Sequence, residues 1–509
     1  MISNRSSSKA SGRWLAAGGV FTACFGLAAV VVALAPGLSL AEGASAAPLS
    51  TVAVPQPIRG DIVNTAAAVQ LGKALFWDQQ VGGDGQVACA TCHFHAGADN
   101  RAVTPTASGV VGSQGVMAAT FKTIGHPADS CTTTGTTRAV TGRNAPSVIN
   151  AVFNRDNFWD GRANHDFNRT DPFGATHNGA IVNGPLVSPL LIGQSSLASQ
   201  ADGPPDNPVE MSCGGRPFNG LNSLGYKMLT SKPLGMQKVS PTDSVLGGLA
   251  DTANGNVGLA TSYQAMINAA FSAPLASNAK TQFSSIFGQA VQAYESTLVS
   301  DRTPYDRFLA GDTKQLTANQ QSGLNLFMGK AQCMRCHTGA ELTDASWSQY
   351  KLPAGNGGGS LNADGGDQGF HNLGVRPTAE DLGRAGTGPA GQSYSVSGSA
   401  LDRGAFKTPG LRNVALTGPY FHTGSKATLA DVVAFYASGG DFANPEKSRR
   451  LQPLSLKASE QAALVDFMTN GLTDCRVAKD RAPFDHPSLT PPNGAAVPAT
   501  GVAGLGECP

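Results

Sequence analysis

Two pentapeptides constrain this chain more than any other feature: Cys89-Ala90-Thr91-Cys92-His93 and Cys333-Met334-Arg335-Cys336-His337. Each has the form of a c-type haem attachment site. The two thiols add across the vinyl groups of one porphyrin, and the adjacent imidazole reaches the iron from the proximal side. A zinc ribbon would need its second cysteine pair about 15 to 20 residues away, whereas these pairs begin at 89 and 333. A redox dithiol has no use for the following histidine. The pattern predicts two covalently bound haems c in one polypeptide, with His93 and His337 as proximal iron ligands.

The remaining sequence predicts a mainly α fold of two cytochrome c-like haem domains with long irregular loops. From Val69 to Asp78 apolar residues fall at helical spacing ahead of the first motif, and the run 320–327 repeats that layout ahead of the second, so an internal duplication is expected. Helical pattern returns around Leu429 to Tyr436 and again around Leu464 to Met468. Residues 351–400 read as a long loop. The 509 residues include 62 glycines and 31 prolines but only 14% charged residues, with a net charge of +1. No nucleic-acid or anionic-membrane partner is expected from that balance.

Residues 1–46 hold Arg5, Lys9 and Arg13, an apolar stretch from Trp14 to about Pro36, and small residues before Ala47. That order is a secretory signal peptide, and its apolar stretch is also long enough for an uncleaved membrane anchor. Either form predicts export to the periplasm or cell envelope. Cys24 falls in this leader and four cysteines in the motifs, which leaves Cys131, Cys213, Cys475 and Cys508. An even remainder in an oxidising compartment predicts the bridges Cys131–Cys213 and Cys475–Cys508, each within one half of the chain, against four free thiols. The expected boundaries are 47–300 for the first haem domain, 301–487 for the second and 488–509 for an extended tail.

Four further strings carry a family resemblance: Arg143-Asn144-Ala145-Pro146-Ser147-Val148-Ile149-Asn150, Phe158-Trp159-Asp160-Gly161-Arg162-Ala163, Asn207-Pro208-Val209-Glu210-Met211, and Leu411-Arg412-Asn413-Val414-Ala415 followed by Pro419-Tyr420-Phe421-His422. Together with the haem motifs they closely resemble the bacterial di-haem cytochrome c peroxidase and MauG family over roughly residues 65–475. The resemblance implies an N-terminal haem that reacts with hydrogen peroxide. It also implies a C-terminal haem that takes electrons from a small donor, a cytochrome c or a cupredoxin. Trp159 would lie between the haems as an electron relay or a packed anchor. The family's Gln-Ala-x-x-Pro string with a glutamate six residues on is matched by Gln200, Ala201, Pro204 and Glu210, making Glu210 the expected acid-base group, Gln200 a hydrogen-bond partner for bound peroxide or water, and Pro204 a shaper of the pocket.

Where the resemblance departs, alternatives stay open. Thr123-Ile124-Gly125-His126 is similar to the loop of the removable distal histidine, but His126 stands farther from His93 than is usual, so ligation competes with a surface role. His95, His165 and His177 read as solvated. Gly418 occupies the position at which the peroxidases usually carry methionine, leaving Tyr420, the MauG-like alternative, or His422 near the second iron. Asn144 matches a family calcium ligand, with carbonyl donors expected near 399–401. Residues 164–199 read as an insertion that caps the pocket or binds a partner. A homodimer is compatible with the family. The competing functions are peroxide reduction, MauG-like oxidation of a protein or organic substrate, and non-enzymatic electron carriage.

Overall fold

The computed structural model describes residues 46–58, 60–101, 139–174, 191–212, 215–350, 361–492 and 494–508, with the backbone of 114–117 and 138. The leader or anchor, His126, His177 and the Cys131–Cys213 pair lie outside these residues. Among the described residues, no helix is long and apolar enough to cross a membrane.

Helix α1 (Thr65–Trp77) starts ahead of its apolar periodicity because Asn64 caps it, the side chain accepting a hydrogen bond from Ala67 N. After a glycine-rich turn, the single helical turn α2 (Ala90–His93) carries the first haem motif. Helices α3 (Ser196–Ala201), α4 (Leu224–Thr230), α5 (Tyr263–Ala270), α6 (Ala273–Ser277) and α7 (Phe283–Glu295) follow, and α1 packs on α5 and α7 in a first apolar core.

A second core gathers α8 (Pro304–Leu309), α9 (Ala318–Met328), α10 (Leu429–Ser438) and α11 (Ala458–Asp466). Thr303 with Asp306 and Thr317 with Gln320 form capping boxes that start α8 and α9, so each helix begins with its orphan N–H groups satisfied. The second motif sits in the 3-10 turn Cys333–Arg335 just after α9.

Among the described residues, strands are confined to two antiparallel ribbons, β1 (Gln114–Met117) with β2 (Arg138–Val140) and β3 (Phe370–His371) with β4 (Phe406–Lys407), so the fold is mainly α. Between β3 and β4 the chain is irregular, as its composition predicts. It is held by buried Arg384, which donates to Asp367 at 2.7 Å and to Gly161 O at 2.9 Å and covers the Phe370 ring. The described ends of the 164–199 segment are tied inward by Phe167 pairing with Ile192 and Ile58 with Gly193.

After α11 the chain returns to the first core. Helix α12 (Cys475–Ala478) opens this return, and Cys475 is bridged to Cys508 with a Cα–Cα distance of 5.6 Å. Composition marks 488–509 as an extended tail. Its described residues form neither helix nor strand, yet Leu489 is buried in the first core, as is Phe484 just ahead of the tail, and Leu489 pairs with Val497. Isolated apolar residues in a proline-rich stretch leave no periodic signal but still bury surface.

The duplication runs far past the motifs. Ala145-Pro146-Ser147-Val148-Ile149-Asn150 has a counterpart in Thr408-Pro409-Gly410-Leu411-Arg412-Asn413. Asn150 (φ 62°) and Asn413 (φ 64°) both take the left-handed conformation and open the 3-10 turns Ala151–Phe153 and Val414–Leu416. Eight residues farther on, Phe158 (φ 60°) and Phe421 (φ 65°) head Phe158-Trp159-Asp160-Gly161 and Phe421-His422-Thr423-Gly424. Trp159 and His422 are therefore structural counterparts.

The same plan governs helix packing. A Cβ on Gly72 of α1 would overlap the Ala290 carbonyl of α7 and stand 2.9 Å from Tyr294 Cβ; one on Gly323 of α9 would overlap the Ala463 carbonyl and stand 2.7 Å from Phe467 Cβ. Glycine here permits backbone-to-backbone contact that no other residue allows. Gly72→Ala and Gly323→Ala should each cost about 1–3 kcal/mol or more in chemical denaturation. Gly248→Ala, which meets no atom within 4 Å, should leave the midpoint nearly unchanged.

Candidate functional site

Both motif histidines are half-buried and lie against carbonyls that fix their orientation. His93 Nδ1 lies 2.8 Å from Gly97 O, with the Pro146 carbonyl also in reach; His337 Nδ1 lies 3.1 Å from Pro409 O and 3.2 Å from Leu342 O. Pro146 and Pro409 are the repeat-related prolines. A carbonyl accepts only from Nδ1–H, so these contacts set one tautomer and leave Nε2 as the lone-pair nitrogen. Burial also lowers the pKa of each imidazole, which keeps it neutral and able to ligate. Phe76 and Phe327, the penultimate residue of α1 and of α9, flank the rings at 6.3 and 6.4 Å.

Around the first motif the segment after α3 brings Glu210 within electrostatic reach of Cys89 and Cys92. The Asn207 side chain accepts hydrogen bonds from Val209 N at 2.9 Å and Glu210 N at 3.2 Å, a turn that aims the glutamate. Half-buried Glu210 has its pKa raised by burial, with Arg162 pulling the other way. Gln200, near the end of α3, is buried and its Oε1 has no hydrogen-bond partner among the described residues. Pro204 starts the 3-10 turn Pro204–Asp206 between them. Glu295, at the end of α7, is a second acid near Cys89, pushed up to about 8 by burial; helical periodicity alone marks that position as core.

The second motif opens on a large, mostly apolar cavity, whose wall includes Cys333, Cys336, His337, Leu429, Val433 and Met468. Helices α10 and α11 thus pack where the sequence predicts them. Tyr420 and His422 line the same cavity. Burial raises the pKa of half-buried Tyr420, and a Cβ on Gly418 would touch its ring at 3.5 Å, so the position that lacks methionine adjoins Tyr420. His422 is buried and stacked on Phe406 at 3.6 Å, its Nε2 has no hydrogen-bond partner among the described residues, and burial pushes its pKa down to about 3.

Between the halves lies a reciprocal contact. Asn144 N donates to His422 O at 2.8 Å, and its repeat counterpart Lys407 donates from its backbone N to Trp159 O at 2.7 Å. Trp159 meets His422 edge-on at 6.3 Å, donates from Nε1 to Asn144 O at 2.8 Å and lines the second cavity. Asn144 is buried; its Nδ2 donates to Pro419 O at 2.7 Å, while Oδ1 has no hydrogen-bond partner among the described residues. Arg143 grips Asp381 with two bonds of 2.6 and 2.7 Å and Asp160 with one of 2.6 Å.

Two expectations change. His165 is not a solvated side chain: it is half-buried, with Nδ1 2.8 Å from Asp156 and Nε2 3.0 Å from Arg155, because the 164–174 segment is anchored to the core. His95 is also half-buried, in a tight turn that its N–H and carbonyl close with Ala98. Motif reasoning missed His371, which is buried on β3, 2.8 Å from Asp344 and beside Cys336, and Lys407 on β4. Both sit in two-residue strands, too short to show alternation.

The paired Cys-x-x-Cys-His turns, the neutral oriented imidazoles and the apolar cavity fit haem c. The model of the family described as di-haem cytochrome c peroxidase matches residues 66–314. The chain is 30% identical to cytochrome-c peroxidase IdrP1 of Denitromonas iodatirespirans, over 87% of this chain and 91% of that protein. It is 28% identical to cytochrome c peroxidase Ccp of Escherichia coli K12, over 74% and 54%. Its likeness to methylamine utilization protein MauG of Methylorubrum extorquens is 33% over 35% of this chain and 42% of that one. Among solved structures, the diheme peroxidase BthA of Burkholderia thailandensis aligns at a TM-score of 0.48 and 21% identity, over 89% and 94%. The chain belongs to the di-haem cytochrome c peroxidase and MauG family and is an oxidoreductase of the cytochrome c peroxidase type.

Proposed function

We propose that the protein is an exported di-haem peroxidase that converts one hydrogen peroxide, two electrons and two protons into two waters. The electrons come from a small cytochrome c or cupredoxin, enter at the site of His337 and pass by way of Trp159 to the site of His93. Haem attached at each cysteine pair would be held through Nε2 of His93 or His337 and would supply the one-electron couples that peroxide reduction needs.

The observation that carries this reading is Glu210, half-buried beside Cys89 and Cys92 with its carboxyl raised by burial. In its ionised form it takes the proton from the near oxygen of peroxide and returns it to the departing oxygen. The free Oε1 of Gln200 orients the second proton or a water, and Pro204 fixes the turn that separates the two side chains. Trp159 keeps its N–H on the Asn144 carbonyl, so an electron crosses the indole with no proton lost from it. Neutral His422 beside it adds no charge that would oppose that passage.

One observation favours a second reading, MauG-like oxidation of a protein or organic substrate: glycine at 418 next to Tyr420 on the cavity wall. A tyrosine oxygen near the second iron would lower its potential relative to a methionine sulphur. Asn144 fits a calcium ligand, because its Oδ1 is buried without a partner and oxygen donors suit that ion.

Glu210→Gln should lower kcat/KM for peroxide about a hundredfold or more. Because the base must be ionised, the wild-type rate should fall as pH drops through the raised Glu210 pKa, and the variant should lose that limb. A wild-type rate and profile in the variant would remove the role. Stripping calcium with a chelator should lower the melting temperature, by the equivalent of about 2.7 kcal/mol for a site held at a hundred times its Kd. Asn144→Ala, which also loses the Nδ2 bond to Pro419 O, should melt below the stripped wild type and at the same temperature with or without the ion.

A further inference from the structure

The wall of the second cavity includes a cation that the protein leaves unanswered. Lys407, on β4, is 5% exposed. Its backbone is fixed to Trp159, but among the described residues its Nζ has no hydrogen-bond or ion-pair partner. The acids nearby are engaged: Asp381 by Arg143, and Asp344 by His371. Burial with no opposing carboxylate lowers the lysine pKa to about 8. A buried ammonium without a counter-ion is costly, and a fold that keeps one against a cavity has an anion to meet there. The haem that the two cysteines and His337 fit carries two carboxylates.

Resting on the reading that this cavity holds haem c, we propose that Lys407 binds a propionate carboxylate of the second haem, positions that haem beside Trp159 and raises its reduction potential. A fixed positive charge favours the reduced, less positive iron, with little screening in an apolar cavity. Lysine suits a single carboxylate oxygen, as a compact charge on a flexible stem. The repeat sharpens the assignment, because the counterpart of Lys407 in the first half is the neutral amide Asn144. The charge belongs to one half alone. It supplies a lever on potential in the half where Gly418 removes the methionine lever.

The test is potentiometry of the holoprotein, read separately at each haem, for wild type, Lys407→Met, Lys407→Gln and Lys407→Arg. Met and Gln should shift the one-electron equilibrium of the second haem toward the oxidised form about tenfold, which is 59 mV, and leave the first haem unmoved. Arg should stay close to wild type. Lys314→Met, at an exposed position, should change neither haem. An unchanged second potential in Lys407→Met would overturn the proposal. So would an Arg variant that loses the wild-type potential and electron paramagnetic resonance signature, because that marks lysine as an iron ligand. If Met and Gln fail to load the second haem, full loading of Arg supports the contact and failure of all three refutes it. No peroxide enters these measurements, so a protein inert to peroxide would sink the peroxidase reading and leave the Lys407 result standing.

Discussion

Everything at either iron site depends on a hydrogen bond from a histidine Nδ1 to a backbone carbonyl. A Cys-x-x-Cys-His turn delivers an imidazole but does not choose which nitrogen faces the porphyrin. Gly97 O does so for His93, and Pro409 O with Leu342 O for His337. Those carbonyls are held by packing farther out: Val148 N donates to Gly97 O, and Leu411, two residues beyond Pro409, is buried in the second core. The helices in front of each motif close the arrangement because Gly72 and Gly323 bring α1 onto α7 and α9 onto α11. Local chain geometry, helix packing and iron ligation thus form one chain of cause in each half.

Duplication supplies two sites on one plan, and substitution within the plan makes them unequal. Trp159 and His422 occupy the same place in their halves and meet ring to ring; Asn144 and Lys407 do likewise and each reach across to the other's half by a backbone hydrogen bond. The first half adds Glu210 beside its motif, an acid that can exchange a proton, with Gln200 on α3 ahead of it. The second half has an apolar cavity with Tyr420, His422 and Lys407 on its wall. In the reaction we propose, proton chemistry belongs with the first and electron entry with the second. The crossed hydrogen bonds hold the two in register.

Much of this was legible in the sequence where a residue pattern has one physical meaning. The haem motifs, the helices ahead of them, the later helices α10 and α11, the irregular stretch before β4 and the Cys475–Cys508 bridge all follow from spacing, periodicity or parity. Other features have no such signature. Gly72 and Gly323 read as weak points in their helices until the facing carbonyl is seen. The Pro-x-x-x-Asn repeat of 146–150 and 409–413 is too short to stand out between unlike neighbours. His371 and Lys407 lie in two-residue strands, and the C-terminal segment buries Phe484 and Leu489 without periodicity. His165 looked solvated because its partners, Asp156 and Arg155, become neighbours only through a tight reversal of the chain.

The central claim is that two sites of common plan are chemically unequal, with peroxide reacting at the iron on His93 and the iron on His337 supplying an electron. Peroxide titration of the half-reduced holoprotein, followed by absorption and electron paramagnetic resonance, tests it most directly. The account predicts that the second haem is the one reduced at the half-way point, and that peroxide is consumed at the first haem as the second returns to the oxidised form. Two six-coordinate low-spin irons that stay unchanged on adding peroxide would contradict it.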